Sequence, residues 1–110
     1  MSRSQRDKGA RRERQVVELH REIGVKAERV PLSGAMPFRN TEKSDVDVYA
    51  RGPDAAPFVT EVKARGNGGG FITLERWLGE NDALFLIRDR ATPLVVLPWA
   101  RWAELIGGAR

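Results

Sequence analysis

The sequence predicts an α/β fold in which a central mixed, mostly antiparallel sheet of five strands is flanked by helices. Three observations lead there. Apolar residues recur at helical spacing, without proline, from about Lys8 to Ile23. Two later segments, Ser44–Tyr49 and Thr60–Arg65, alternate apolar and polar side chains as half-buried strands do. Two short apolar runs then lie near the end, Ala83–Ile87 and Leu94–Leu97. The resulting order is helix, three strands, helix, two strands, helix, a layered α/β sandwich. At 110 residues the chain has room for one small domain spanning 1–110, with residues 1–7 read as a flexible basic arm.

The first helix carries Ala10, Val16, Val17, Leu19 and Ile23, and Gly24 sits where a left-handed residue would end it. On that helix Glu13, Val16, Val17, His20 and Gly24 are three or four apart, hence neighbours. Glu13 therefore lies at the edge of the core-facing side, an expensive place for an unpaired carboxylate. Val25–Leu32 reads as the first strand, ended by Pro31 and Ser33-Gly34, and residues 33–43 as a loop rich in breakers. The second strand runs over about 45–50. Arg51-Gly52-Pro53-Asp54 makes a turn, and a third strand follows over 57–65, so these two form an antiparallel hairpin. The glycine run 66–70 is too flexible for regular structure. A helix at 73–80 follows with Thr73 as N-cap. The run Ala83–Ile87 is apolar enough to be buried on both faces. After a turn and the strand 94–97, Pro98 precedes a last helix bearing Trp99, Trp102, Leu105 and Ile106.

Composition removes several classes of function. Hydrophobic content of 41% and charged content of 31% suit a folded soluble chain. The absence of cysteine excludes disulfides, thiolate zinc sites and cysteine nucleophiles, and the single histidine, His20, excludes a multi-histidine metal cluster. No apolar run approaches the roughly 20 residues needed to cross a bilayer, and no signal-peptide core follows the start. The expected location is the cytoplasm. The net charge is +4, and residues 1–14 hold six basic side chains (Arg3, Arg6, Lys8, Arg11, Arg12, Arg14) against Asp7 and Glu13, which equals the whole excess. Such a cluster suits a polyanion, with sequence-independent affinity that falls with salt; a solvated, frayed terminus is the bland alternative.

The alternating segments carry the chemistry. Residues two apart on a strand point the same way, so Asp45 and Asp47 share a face, as do Glu61 and Lys63. If the two strands are neighbours, these carboxylates and an ammonium converge, and carboxylates so gathered repel unless a cation lies between them. Asp47 and Glu61, with the backbone carbonyl of Val62, would offer hard oxygen ligands to Mg²⁺ while leaving positions for water and a phosphate oxygen. A bound water could lose a proton and attack phosphorus, with Lys63 orienting it or offsetting charge in the transition state. The competing reading is a strand whose polar side faces water, with a cross-strand pair worth little. His20 reads as a packed or solvent-facing histidine. The glycine run lacks the Lys-Ser/Thr of a phosphate loop and reads as a mobile loop near the active face. Trp77, Trp99 and Trp102 read as core or subunit-interface residues rather than base-stacking platforms.

Taken together, Lys8-Gly9-Ala10-Arg11-Arg12-Glu13-Arg14, Val30-Pro31-Leu32-Ser33-Gly34, Asp47-Val48-Tyr49-Ala50 and Glu61-Val62-Lys63 resemble the PD-(D/E)XK nucleases. Within them the chain is most similar to the small archaeal-type Holliday junction resolvases, phage-borne relatives included. The likeness covers most of the chain in order and length. It implies a restriction-endonuclease-like three-layer sandwich and a metal-dependent DNA endonuclease acting on branched DNA in recombination. Mg²⁺ would be the cofactor, with Mn²⁺ as substitute. Glu13, Asp47, Glu61 and Lys63 would bind metal and activate water, with Ser33 contributing from the loop. Asp45 competes with Asp47, because Val46 stands where the family usually has proline or glycine; Asp47 is preferred since Val48-Tyr49-Ala50 continues as the family's apolar strand. A glutamine common in the helix after the lysine is absent, with Glu75 or Arg76 near its place. Arg3, Arg6, Lys8, Arg11, Arg12, Arg14 and Arg65 would contact DNA. A junction presents two symmetric strands to cut, which suits a homodimer joined through the strands after residue 83 and the last helix. A restriction- or repair-type nuclease on duplex DNA, and a non-catalytic DNA-binding module, are the alternatives.

Overall fold

The computed structural model describes residues 3–30 and 45–107, with side chains from Gly9 onward. The chain groups into two compact units, Met1–Ala64 and Arg65–Ala109. All the fully buried residues among those described lie in the first.

That unit opens with α1 (Arg3–Glu22). The helix starts five residues earlier than its apolar pattern suggested, so residues 3–7, expected as an arm, are helical. Arg3, Gln5 and Arg6 are good helix formers and extend it without an apolar residue. Its end is as expected: Gly24 has φ 80°, its N–H bonds the Arg21 carbonyl at 3.0 Å, and the Val25 N–H bonds the His20 carbonyl at 3.0 Å. This crossed pair satisfies carbonyls that the helix leaves open. Strands β1 (Ala27–Arg29), β2 (Val46–Val48) and β3 (Phe58–Thr60) form an antiparallel sheet in chain order. The expected hairpin of the second and third strands is therefore present, although each paired stretch is shorter than its alternating pattern. Flanking bonds extend the first pairing, from Val30 N–H to the Asp45 carbonyl and from Tyr49 N–H to the Lys26 carbonyl. The core consists of Val17, Val25, Ala27, Val30, Val46 and Val48 with His20. Fully burying a valine is worth about 1.5–3 kcal/mol, so Val25, Val46 and Val48, the largest fully buried side chains, hold sheet and helix together.

The second unit contains α2 (Phe71–Leu78), β4 (Leu84–Leu86), β5 (Leu94–Val96) and α3 (Trp99–Gly107). Four expectations change here. The glycine run forms a defined turn: Gly68 and Gly70 take φ 73° and 84°, and the N–H groups of Phe71 and Ile72 both bond the Gly68 carbonyl. Helix α2 consequently begins at Phe71 after Gly70, which leaves Thr73 inside the helix and not at its cap. The five expected strands exist, but their pairings form one three-stranded and one two-stranded sheet, all antiparallel, where one mixed five-stranded sheet was expected. The run Ala83–Ile87, which contains β4, is also not buried on both faces, since Phe85 and Ile87 are 64% and 79% exposed. A lone hairpin has few neighbours with which to cover its strands. Trp77 is exposed as well.

Candidate active site

The register divides the first sheet into two unlike faces. Glu28 pairs with Asp47 and Arg29 with Val46, and on the other side Asp47 pairs with Val59. Because side chains alternate, Lys26, Glu28, Asp47, Tyr49 and Val59 share one face. The side-chain bonds agree with this: the Tyr49 hydroxyl donates to Glu28 Oε1 at 3.0 Å, and Lys26 Nζ lies 4.5 Å from the Tyr49 ring centroid. Val25, Ala27, Arg29, Val46 and Val48 form the opposite face, which is the apolar one. Asp47 is the buried carboxylate at the middle of the polar face.

Past the end of β3, burial still alternates residue by residue from Thr60 to Arg65, the period of extended chain. Glu61 and Lys63 take exposed positions, on the side of Val59 and hence of Asp47. Lys63 Nζ lies 3.2 Å from Glu61 Oε2, with the side chains 64% and 51% exposed. Three bonds tie this segment to β2 and to Asp45 just before it. Thr60 Oγ1 donates to the Val46 carbonyl at 2.7 Å, and the Val62 N–H donates to Asp45 Oδ2 at 2.7 Å. The Asp45 N–H also bonds the Thr60 carbonyl at 2.9 Å. Asp45 and Val46 thus both face Thr60, a bulge-like step of the kind that re-aims side chains.

Glu13 is held elsewhere. Its Oε1 accepts from Arg29 Nε at 3.0 Å and lies 3.0 Å from Arg29 Nη2. Arg29 belongs to the apolar face, which α1 covers, so Glu13 and Asp47 lie on opposite sides of the sheet. Arg29 also lines a groove of about 340 Å³ with Arg14, Val17, Glu18 and Arg21. Among the other expected residues, Arg11, Arg14 and Arg65 are exposed, and Arg12 donates to Gln15 Oε1 at 2.9 Å. Arg3, Arg6 and Lys8 lie on α1, but their side chains, like all of Ser33, fall outside the described residues. His20, expected as either packed or solvent-facing, is packed: it is buried, and its Nδ1–H donates to the Val16 carbonyl at 2.7 Å.

For a divalent cation the donors near β2 and β3 are of the right kind, namely the carboxylate oxygens of Asp47 and Glu61 and the Val62 carbonyl. Among the described residues no three acidic or histidine side chains come together as a metal-holding group. Glu13, Asp47 and Glu61 therefore do not converge as a three-carboxylate cage, and a site here rests on two carboxylates and a backbone oxygen. Two neighbours escaped the reading of the sequence. Arg29, the partner of Glu13, carried no pattern that could have revealed it. Glu28, directly opposite Asp47, was readable from the alternation Lys26-Ala27-Glu28 once the strand pairing was known.

A protein-family model described as phage putative PDDEXK endonuclease matches residues 4–81. No curated protein and no solved structure matches the chain. No helix among the described residues is long and apolar enough to cross a membrane.

Proposed function

The chain belongs to the phage PDDEXK endonuclease family, and from that premise we propose that it is a metal-dependent DNA endonuclease cleaving branched DNA, as Holliday junction resolvases do. The family is one of nucleases, which generally use divalent metals and act on DNA. The observation that carries the finer reading is Asp47 on β2 and the Glu61-Val62-Lys63 run beyond β3, on neighbouring antiparallel strands and on one side of the sheet. The match spans parts of both compact units, which supports reading residues 1–110 as one nuclease domain.

Asp47, Glu61 and the Val62 carbonyl would hold Mg²⁺, or Mn²⁺ in its place. The bound ion would polarise a phosphoryl oxygen and acidify water near neutral pH. Lys63, paired to Glu61 at 3.2 Å, brings a positive charge to where negative charge grows on the phosphate. Glu13 and Ser33 stay in the proposed set on the family's pattern alone. The basic residues of α1 (Arg3, Arg6, Lys8, Arg11, Arg12, Arg14), together with Arg65, supply contacts to DNA phosphates. A homodimer would present two such sites to the two strands of a junction.

The test is divalent-dependent nicking of a synthetic four-way junction, compared with its separate linear arms. The junction should be cut in preference, and Asp47→Asn, Glu61→Gln and Lys63→Ala should each lose cleavage while still binding DNA. Full activity in any of the three would overturn the assignment. Equal cleavage of the linear arms would favour a restriction- or repair-type enzyme. Absence of Mg²⁺ or Mn²⁺ binding by calorimetry would favour a non-catalytic DNA-binding module.

A further inference from the structure

We infer that Asp45 is a positioning residue that sets the aim of Glu61 and Lys63 by holding the Val62 amide, and is not itself a metal ligand. The inference rests on the nuclease reading above and deepens it. Strand β3 loses its regular partner after Thr60, because Asp45 and Val46 both face that residue. The Val62 N–H, next in line to pair with β2, meets no backbone acceptor among the described residues. The Asp45 carboxylate takes the place of the missing ladder rung, accepting that N–H at 2.7 Å. Bonds of this length to an ionised acceptor are the strong ones, and they fix direction as well as distance.

Val62 lies between Glu61 and Lys63. Fixing its peptide plane fixes rotation about the strand axis, and with it the side on which both flanking side chains project. The Glu61–Lys63 pair is more than half exposed on both sides, so packing does not hold it. The anchor is the backbone beneath it. Asp45 thus receives a task different from that of Asp47. Asp47 sits inside the regular ladder opposite Val59, whereas Asp45 stands where the ladder breaks and spends an oxygen on main chain.

An accepting oxygen is all this task needs, so an amide can replace the carboxylate. A metal ligand would need the charge. The test compares Asp45→Ala with Asp45→Asn for single-turnover cleavage of a four-way junction, Mn²⁺ affinity, and hydrogen exchange of the Val62 amide by NMR. Displacements of about 1 Å at a reacting centre can cost on the order of 100-fold. Asp45→Ala should accordingly lower kcat tenfold to a hundredfold with little change in KM, and its Val62 amide should exchange at least tenfold faster. Asp45→Asn should recover at least tenfold of that kcat and keep the amide protected, with Mn²⁺ affinity within a few fold of the unsubstituted protein. An Asp45→Asn protein as inactive as Asp45→Ala, with Mn²⁺ affinity abolished, would overturn the inference and make Asp45 a ligand. Unchanged Val62 exchange in Asp45→Ala would also overturn it. If the unsubstituted protein cuts no DNA, the nuclease reading fails while the exchange measurement still decides what Asp45 holds.

Discussion

Arg29 grips Glu13 through two nitrogens, Nε and Nη2, each 3.0 Å from the same carboxylate oxygen. The pair joins α1 to β1 on the sheet face opposite Asp47. Glu13 is 16% exposed and Arg29 33%, so removing one partner leaves a mostly buried charge without its counterion. Such losses cost several kcal/mol when burial is complete. At this partial burial, Arg29→Met should destabilise the protein by about 1–2 kcal/mol, read as a lower urea midpoint at constant slope. An unchanged midpoint would mean that the pair adds nothing to the packing of the helix.

Val46 is completely buried at the centre of the first sheet. Val46→Ala removes two methyl groups and leaves a cavity between sheet and helix, at a cost of about 2 kcal/mol. Thermal unfolding should show Tm falling by roughly 8–16 °C, given about 4–8 °C per kcal/mol for a domain of this size. Val59, 40% exposed on the other face, should tolerate alanine with less than half that loss.

Gly68 combines φ 73° with a crowded site, where an added Cβ would lie 3.1 Å from the Cγ1 of Ile72. Gly68→Ala therefore carries both a left-handed backbone penalty of about 1 kcal/mol and a displaced Ile72. Amide exchange in the first turn of α2 should quicken, while exchange in β1 and β2 stays unchanged. Slow exchange throughout α2 would show that the turn can re-form around alanine.

The basic residues of α1 should act through charge. Replacing Arg11 and Arg14 together by glutamine should weaken DNA binding on junction and duplex alike. It should also reduce the slope of log affinity against log salt by about 0.9 for each phosphate no longer neutralised. A slope that does not move would place the DNA on another surface. Phe85, Ile87, Leu94, Val95 and Leu105 are exposed apolar side chains, and they motivate the proposed dimer. Sedimentation should find two copies associated, and Ile87→Glu should shift the population towards monomer.

The order of the elements was legible because each announces itself locally. Apolar spacing marked α1, the glycine after it marked its end, and alternation marked β2 and the approach to Lys63. Strand lengths were overestimated, since alternation continues past the last ladder bond, as it does from Thr60 to Arg65. The glycine run misled for a related reason: composition measures the freedom available to a chain, whereas the hydrogen bonds to the Gly68 carbonyl measure what is used. Of the candidate site, the acids and the lysine could be named from residue type and spacing. Their partners could not.

By itself the sequence determined which side chains alternate, where the first helix stops, and that Glu61 and Lys63 share a side, because the period of an extended chain is a local property of the backbone. Only the tertiary structure decided that β1 lies against β2, and so that Glu28 stands opposite Asp47 and that Arg29 claims Glu13 across the helix–sheet interface. It also gave the two neighbouring aspartates different partners. Asp47 stays within the ladder, and Asp45 turns to the Val62 amide, because the regular pairing breaks between them.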